Sequence, residues 1–379
     1  MKNNTLTILK DLIKIPSFVD GENNDAELAQ YIKNFFKKMG DRYYVEEQKV
    51  EGNRINLIIK NCKDPKIFLF GHLDTVLPKK ETIKPFEPRI EGNKLFGLGA
   101  VDMKSGLAIM LNQASKNTKP GLGFIFTADE EYEFKGAFKL IEKYKFKPKL
   151  VINVEPTNAQ ICNGCRGITE FSFIVNGKSV HAGRKQLGIN AIEKTIELTN
   201  KLQESISRFD NKTIGKSSLN LAYLHGGVLQ EIDKNGIKKI SGKGMIVPNY
   251  AEVNCEIRLA SEKISKTFIT NEIVRLAKSL GVTVEEITFK FYLGSMLTPK
   301  INLKSFEKAF LSASAPMKYR DLSTSGFYEV QLLQEKWGTD CIVFGPGPIE
   351  LSHTANEYVD IESIKVAEKV IESYITSTL

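Results

Sequence analysis

The pattern of hydrophobic positions in this 379-residue chain differs between its two ends and its middle. Towards both ends, short unbroken apolar runs predict buried strands, and segments with an apolar residue every three or four positions predict helices. The predicted strands are residues 66–70, 122–127, 149–154 and 341–344, and the predicted helices are residues 104–115 and 134–144. This order indicates an α/β fold with a mostly parallel sheet that carries helices on both faces.

The middle of the chain has the alternating pattern of half-exposed strands instead. Alternation covers residues 168–176, 217–225, 251–259 and 282–291, and helical periodicity covers residues 188–206 and 262–280. The resulting order β-α-β-β-α-β is that of a ferredoxin-like α+β domain. We therefore predict an inserted domain at residues 167–290, within a discontinuous domain formed by residues 1–166 and 291–379.

The charge and the apolar runs exclude two classes of partner. The chain has 53 Lys and Arg against 45 Asp and Glu, a net charge of +8, and its lysines are scattered. A nucleic-acid-binding surface would need a basic stripe with aromatic residues, so no nucleic acid is expected. No run approaches the roughly 20 apolar residues of a membrane span, and residues 1–18 resemble an amphipathic helix rather than a signal peptide. No membrane partner is expected.

The five cysteines are too few and too scattered for a disulfide framework. An odd, sparse set in a large chain is typical of a reducing compartment, so we expect a cytoplasmic protein. Cys162 and Cys165 form a lone CxxC pair. A structural zinc site would need a second pair, so two ordinary thiols near a turn are the simpler interpretation.

Residues of the kinds that bind metal ions follow four predicted strands. They are His72 after 66–70, the pair Glu130-Glu131 after 122–127, Glu155 after 149–154, and His353 a short loop beyond 341–344. In open α/β sheets, ligands collect at the carboxyl ends of the strands. We therefore expect these side chains to meet at one edge of the sheet.

Asp102, in the segment GLGAVDMKSG, adds a carboxylate that suits a site with two metal ions. Two Zn²⁺ carry four positive charges, of which Asp102, Glu131 and Glu155 cancel three and a bridging hydroxide cancels the fourth. Such a site makes water nucleophilic near neutral pH. Glu130, next to a ligand but not needed as one, is the candidate general base.

Asp74 is predicted to orient His72. The two residues are two positions apart on an extended segment, so their side chains point the same way. Asp74 could then accept a hydrogen bond from the ring nitrogen that faces away from a metal ion. Nucleotide binding is not supported, because the segment from Gly97 to Asp102 has an Asp where a dinucleotide fingerprint needs Gly or Ala. GxSxG and HExxH motifs are also missing.

Eight segments resemble the motifs of the dinuclear-zinc amidohydrolases, the family of acetylornithine deacetylase, succinyl-diaminopimelate desuccinylase, aminoacylase and a glutamate carboxypeptidase. They run in family order from residue 71 to 359: GHLDTV, GLGAVDMKSGLA, TADEE, VEPT, SVHAG, VPNYAEVNCEIR, and FGPG followed by SHTANEYV. The resemblance implies that His72 and Glu155 bind one zinc ion, Glu131 and His353 bind the other, and Asp102 bridges them.

The same resemblance implies roles for residues outside the metal ligands. Glu130 would be the general base, and the Asp102–Met103 peptide would be cis. His181 would stabilise the oxyanion, reaching the site from a partner subunit. Arg258 and Asn249 would hold the substrate carboxylate.

The implied function is a zinc-dependent amidohydrolase that removes the acyl group from an N-acyl amino acid, as in amino-acid biosynthesis. Water that bridges the metal ions would be the nucleophile, and Co²⁺ could replace Zn²⁺. The alternative is a glutamate-type metallocarboxypeptidase, acting on a short peptide, because it would share every metal ligand. A non-catalytic metal-binding protein of the same fold is a more distant alternative.

The resemblance also makes the inserted domain a lid and dimerisation domain. We expect a homodimer in which the edges formed by strands 168–176 and 217–225 pair between two lids. Two features depart from the family. Residues 322–326, Leu-Ser-Thr-Ser-Gly, replace a common Gly-Gly-Thr-Ser-Asp run, and His225 takes a strand position where relatives usually have another residue.

Overall fold

A computed structural model describes residues 4–379, so residues 1–3 of the predicted discontinuous domain lie outside the described range. The chain forms two compact units. The larger contains the chain up to Gly164 together with Met296–Asp321 and Tyr328–Leu379, and the smaller contains Cys165–Ser295 and Leu322–Phe327. Every helix among the described residues is too short or too polar to cross a membrane.

The helices and strands occur in the following order. Up to residue 165 they are α1 (Thr5–Ile13), α2 (Ala26–Lys37), β1 (Tyr44–Glu51), β2 (Arg54–Lys60), β3 (Ile67–His72), β4 (Arg89–Glu91), β5 (Lys94–Phe96), α3 (Ser105–Lys116), β6 (Leu122–Thr127), α4 (Lys135–Lys143), β7 (Leu150–Asn153) and β8 (Gly164–Cys165). The middle elements are β9 (Gly167–Asn176), α5 (Ala191–Ser207), β10 (Ser218–Ile232), β11 (Lys238–Ser241), β12 (Tyr250–Leu259), α6 (Lys266–Ser279) and β13 (Thr283–Leu293). The remaining elements are β14 (Met296–Leu297), α7 (Lys304–Ser312), α8 (Val330–Trp337), β15 (Cys341–Val343), β16 (Tyr358–Asp360) and α9 (Ile361–Thr378).

A six-stranded sheet with the order β1-β2-β6-β3-β7-β15 forms the centre of the larger unit. Strands β6, β3, β7 and β15 run parallel, and β1 and β2 add antiparallel pairings at one edge. The prediction of a mostly parallel sheet is therefore confirmed. The apolar runs explain it, because a parallel sheet covered on both faces buries every strand residue.

Helices cover both faces of this sheet. Leu69 packs in a hydrophobic core to which α1, α2, α3, α7 and α9 contribute side chains. Its neighbour Phe68 points to the opposite face, where its ring lies 6.4 Å from the ring of Trp337 on α8. Successive strand residues thus serve two separate layers of helices, which is why the run KIFLF contains no polar position after Lys66.

The smaller unit is the predicted ferredoxin-like sandwich. Its antiparallel sheet has the order β11-β10-β12-β9-β13, and α5 and α6 pack against it. Asn190 is the N-cap of helix α5, and its side chain accepts hydrogen bonds from the backbone N–H groups of Ile192 and Glu193. His225 lies exposed on β10 with its ring 6.3 Å from that of Tyr223.

Two expectations about this unit are wrong. Strand β9, which covers the predicted strand 168–176, pairs with β12 on one side and β13 on the other, so it is not an edge strand. The segment Leu322–Phe327, which the sequence assigned to the discontinuous domain, belongs to the smaller unit. The guanidinium of Arg258 on β12 lies 5.3 Å from the Phe327 ring. No local sequence pattern reveals a contact between residues so far apart in the chain.

Candidate metal centre

The four predicted ligand segments meet at the carboxyl edge of the large sheet. His72 ends β3 and is paired in register with Thr127, the last residue of β6. Glu130 and Glu131 follow three and four residues later, and Glu155 comes two residues after the end of β7. The parallel arrangement of these strands is what brings the segments together.

Three carboxylates surround the buried ring of His72. Its Nε2 atom lies 3.2 Å from Oδ1 of Asp102, 3.4 Å from Oε1 of Glu155 and 4.0 Å from Oε2 of Glu130. The side chain of His72 is 1% exposed. The ring therefore presents one nitrogen to a group of acids shielded from water.

His353 forms the second half of the cluster with Glu131. Its Nε2 atom lies 3.0 Å from each carboxylate oxygen of Glu131 and 3.5 Å from Oδ2 of Asp102. The two oxygens of Asp102 thus face different histidines, Oδ1 towards His72 and Oδ2 towards His353. His353 is half exposed, so this side of the cluster is open to solvent.

Asp74 contacts His72 differently from the prediction. The backbone carbonyl of Asp74, at 3.0 Å, is the hydrogen-bond partner of His72 Nδ1, and the nearest carboxylate oxygen is 3.9 Å away. The carboxylate instead accepts the backbone N–H groups of Glu130 and Glu131, at 3.1 and 3.0 Å. Asp74 therefore orients the ring with its main chain, and its side chain holds the two glutamates.

A buried carboxylate that the sequence analysis missed holds the loop that carries Asp102. Glu357 accepts the N–H groups of Gly99, Val101 and Asp102, at 2.8, 2.9 and 3.0 Å. The Asp102–Met103 peptide bond is cis. Lys104, also buried, donates to the carbonyl of Ile15 at 2.7 Å. The position of Glu357 within SHTANEYV was the available clue, but its partners are more than 250 residues away.

Burial and mutual repulsion shift the pKa values of the cluster. Burial raises the pKa of Glu130 well above its usual range, and burial with the neighbouring Asp102 raises that of Glu131 to about 7. Burial lowers the pKa of His72, but the surrounding carboxylates outweigh it and raise this pKa well above its usual value. The hydrogen bond with Glu131 raises the pKa of His353 to about 9. Both histidines thus favour the charged form, and the acids still lack countercharge.

Glu329 is a second acid that the sequence analysis did not single out. Its side chain is buried, and one carboxylate oxygen accepts the hydroxyl of Thr127 at 2.6 Å. Burial raises its pKa to about 8. Glu329 interacts electrostatically with His72, Asp74 and Glu155. It is therefore a further acidic group near the cluster.

The donor set fits divalent metal ions. Ligand atoms of His72, Asp102 and Glu131 lie within 4.8 Å of one another, and so do those of His72, Glu130 and Glu155. Imidazole nitrogen and carboxylate oxygen are typical ligands of catalytic zinc. A bound cation would also supply the countercharge that the buried acids lack.

The other predicted site residues belong to the smaller unit. His181 is exposed, and its Nδ1 atom accepts the N–H of Gly183 at 3.1 Å. The side-chain oxygen of Asn249 accepts the N–H of Leu229 at 2.9 Å. Nε of Arg258 donates to Glu256 at 2.8 Å. Each has a local partner, and the cluster of the larger unit is formed without them.

Comparison with known proteins identifies the family. The model of peptidase family M20/M25/M40 matches residues 68–377, which covers all the cluster residues. The chain belongs to this peptidase family. Members of the family are metal-dependent, and this member is accordingly a metal-dependent hydrolase that acts on amide bonds.

The similarity to individual relatives covers nearly the whole length of the chain. The chain is 24% identical over 392 residues to an acetylornithine deacetylase of Buchnera aphidicola, covering 98% of this chain and 97% of the relative. Its fold is similar to that of an aminopeptidase from Bacillus cereus, with a TM-score of 0.75, 18% identity and coverage of 99% and 98%. It is also similar to an M20 metallo-carboxypeptidase from Sulfolobus solfataricus, with a TM-score of 0.71, 16% identity and coverage of 98% of each chain.

Proposed function

We propose that this protein is a deacylase that uses two zinc ions to hydrolyse the amide bond of an N-acyl amino acid. The observation that carries the proposal is Asp102, whose two oxygens face His72 and His353 from the middle of the cluster. A carboxylate in that position suits a bridge between two cations. His72 and Glu155 would hold one ion, and Glu131 and His353 the other.

The bound ions would polarise the scissile carbonyl and make water nucleophilic near neutral pH. Glu130 would take the proton from the attacking water and pass it to the leaving amine. Two features of Glu130 support this role. It lies beside the proposed ligands with its side chain 12% exposed and Oε2 4.0 Å from His72 Nε2, and burial raises its pKa well above the usual range. The N–H of Glu130 is held by Asp74, which fixes the turn that carries it.

The substrate class rests on the curated relative, an acetylornithine deacetylase that matches this chain over almost its full length. We propose that Arg258 and Asn249 hold the carboxylate of the amino acid and that His181 stabilises the oxyanion. Arg258 would have to exchange Glu256, its partner at 2.8 Å, for the substrate. These roles come from motif resemblance.

The proposal is tested by comparing substrates with zinc- or cobalt-loaded protein. N-acetylornithine, N-succinyl-diaminopimelate and a peptide with a C-terminal glutamate are assayed side by side. We expect the fastest turnover on one of the two N-acyl amino acids. We also expect Glu130→Ala to lower kcat at least ~10²-fold with metal still bound.

Glu133→Ala is the matched control, because Glu133 follows the same turn and pairs with Lys135 in an exposed position. It should leave kcat unchanged. Faster cleavage of the peptide would mean that the protein is a carboxypeptidase rather than a deacylase. A fully loaded protein without turnover on all three substrates, equal to Glu130→Ala, would point to a non-catalytic metal-binding protein.

We further propose that the protein is a homodimer joined through the smaller unit. Strand β9 cannot supply the contact, since both its sides are paired. Residues 218–227 of β10 pair with β12, and within residues 4–379 no other strand pairs with that stretch. This free edge supports β10 as the strand that meets its copy.

A further inference from the structure

A buried arginine joins two aspartates beside the metal centre. Arg54, at the start of β2, donates from Nη2 to Asp25 at 2.8 Å and from Nη1 to Asp129 at 2.5 Å. Nε of Arg54 also contacts both carboxylate oxygens of Asp25, at 3.1 and 3.2 Å. The side chains of all three residues are at most 6% exposed. None of them belongs to the predicted site.

Asp129 organises the turn after β6. Its φ angle of 75° lies in the left-handed region, which aspartate tolerates better than most residues. Its carbonyl accepts the N–H of Phe134 at 2.7 Å, and Oδ2 accepts the N–H of Lys135 at 3.3 Å. Arg54 bonds the other carboxylate oxygen, Oδ1. The arginine thus anchors the residue that shapes this turn.

The next two residues of the turn are Glu130 and Glu131. Their N–H groups are bound by the carboxylate of Asp74. The dipeptide is therefore held from two sides, by Asp74 through its amides and by Arg54 through Asp129. The side chains of Glu130 and Glu131 therefore keep their directions only if the contacts of Asp74 and of Arg54 are both present.

We propose that Arg54 is a positioning residue for Glu130 and Glu131, acting through Asp129. The inference about catalysis rests on the proposed function, because it takes Glu130 as the base and Glu131 as a ligand. Arginine suits the task, since its planar guanidinium presents donors to two carboxylates at fixed angles, which an ammonium group cannot do. A misplacement of about 1 Å can lower a catalytic rate by ~10²-fold.

A purely structural role makes a different prediction. If the buried ion group only stabilises the fold, activity per folded, metal-loaded molecule should not depend on Arg54. Leu57→Ala is the matched control, because Leu57 is fully buried on the same strand and belongs to the hydrophobic core. Its substitution lowers stability without removing a hydrogen bond or ion pair of the group formed by Arg54, Asp25 and Asp129.

The test compares Arg54→Met, Arg54→Lys and Leu57→Ala with the unaltered protein, each loaded with Co²⁺. We expect Arg54→Met to lower kcat ~30- to 100-fold, with KM within ~3-fold of that of the unaltered protein. The kcat of Arg54→Lys should lie between those of Arg54→Met and the unaltered protein. The visible absorption of bound Co²⁺ should change in Arg54→Met, since Glu131 lies on the displaced turn. A further variant, Arg54→Ala, should regain part of its kcat when millimolar guanidinium is added. Leu57→Ala should keep the original spectrum and kcat.

Two results would overturn the inference. One is an Arg54→Met protein with unchanged kcat and cobalt spectrum, and the other is an equal loss in Leu57→Ala at matched stability. If Arg54→Met does not fold, Asp129→Asn tests the same link. If the unaltered protein hydrolyses none of the substrates, the proposed function fails. The cobalt spectra still decide the role of Arg54 in that case.

Discussion

At the scale of single residues, the centre is an excess of buried acid. Glu131 and Glu329 have pKa values raised to about 7 and about 8, chiefly by burial. Two histidines carry the nearest positive charge, and both have raised pKa values themselves. Without a metal ion, the folded chain therefore holds protons more tightly than the unfolded chain does.

This excess predicts how the stability of the metal-free protein depends on pH. A carboxyl group with a raised pKa contributes fully to stability below its unfolded value near 4.5, and the contribution is lost as the pH rises through its folded value. The raised pKa of His72 acts in the same direction. We expect the Tm of chelated protein to fall by at least ~5 °C from about pH 5 to about pH 8.5.

Thermal unfolding with chelator and with Zn²⁺ checks this prediction. The loaded protein should show a much smaller fall, because the ions supply the missing countercharge. Glu329→Gln, which removes one buried acid without changing its shape, should reduce the fall in the chelated protein. A Tm that stays level or rises over this range would contradict the account.

At the scale of elements, a small sheet positions the loop that carries Asp102, the proposed bridging ligand. Strand β5 pairs with β16 so that Phe96 lies opposite Tyr358. The residues that flank this pair are Gly97 and Glu357, and the N–H of Gly97 donates to the Glu357 carbonyl at 3.3 Å. The Glu357 side chain also accepts hydrogen bonds from the backbone N–H groups of Gly99, Val101 and Asp102. The strand register sets the position of the loop, and the buried carboxylate sets its shape.

Removing this carboxylate should loosen the metal site. In Glu357→Ala the three N–H groups lose their acceptor, and Asp102 loses its fixed position. We expect the affinity for Zn²⁺ to fall ~10- to 100-fold, as for other residues that support a metal ligand. Competition with a chromophoric chelator measures it. Glu362→Ala, at an exposed site on α9, is the control and should bind normally. Undiminished affinity in Glu357→Ala would mean that the loop holds its shape by other contacts.

At the scale of the whole molecule, the proposed metal ligands and the proposed substrate residues belong to different units. The larger unit contains all five proposed metal ligands and Glu130, and the smaller contains His181, Arg258 and Asn249. His181 is exposed within its own unit. We propose that the homodimer brings His181 of one chain to the metal centre of the other.

Mixed dimers test this proposal. Chains with His181→Ala and chains with Glu130→Ala are each expected to be inactive as homodimers. After mixing and re-association, we expect roughly a quarter of the original activity, because half of the dimers are hybrids and each hybrid keeps one intact site. Hybrids that form but stay inactive would show that His181 does not act across the interface. A monomer by sedimentation at micromolar concentration would remove the dimer proposal.

The sequence by itself determined most of the elements and the set of candidate ligands. The run at residues 122–127 became β6 with the same bounds, and the alternation at 251–259 became β12 with one residue more. Such patterns are local, because burial on one or two faces is recorded in neighbouring residues. The ligand positions followed from strand order, since parallel strands bring their carboxyl ends to one edge.

Only the tertiary structure decided which atoms the side chains meet. Asp74 turned its carbonyl rather than its carboxylate to His72, because the amides of Glu130 and Glu131 occupy the carboxylate. Arg54 and Glu357 look like ordinary surface charges in the sequence, yet each is buried against partners at least 29 residues away. A buried charge requires a partner, but the sequence does not say which one. Long-range packing makes that choice, and here it determines the shape of the metal centre.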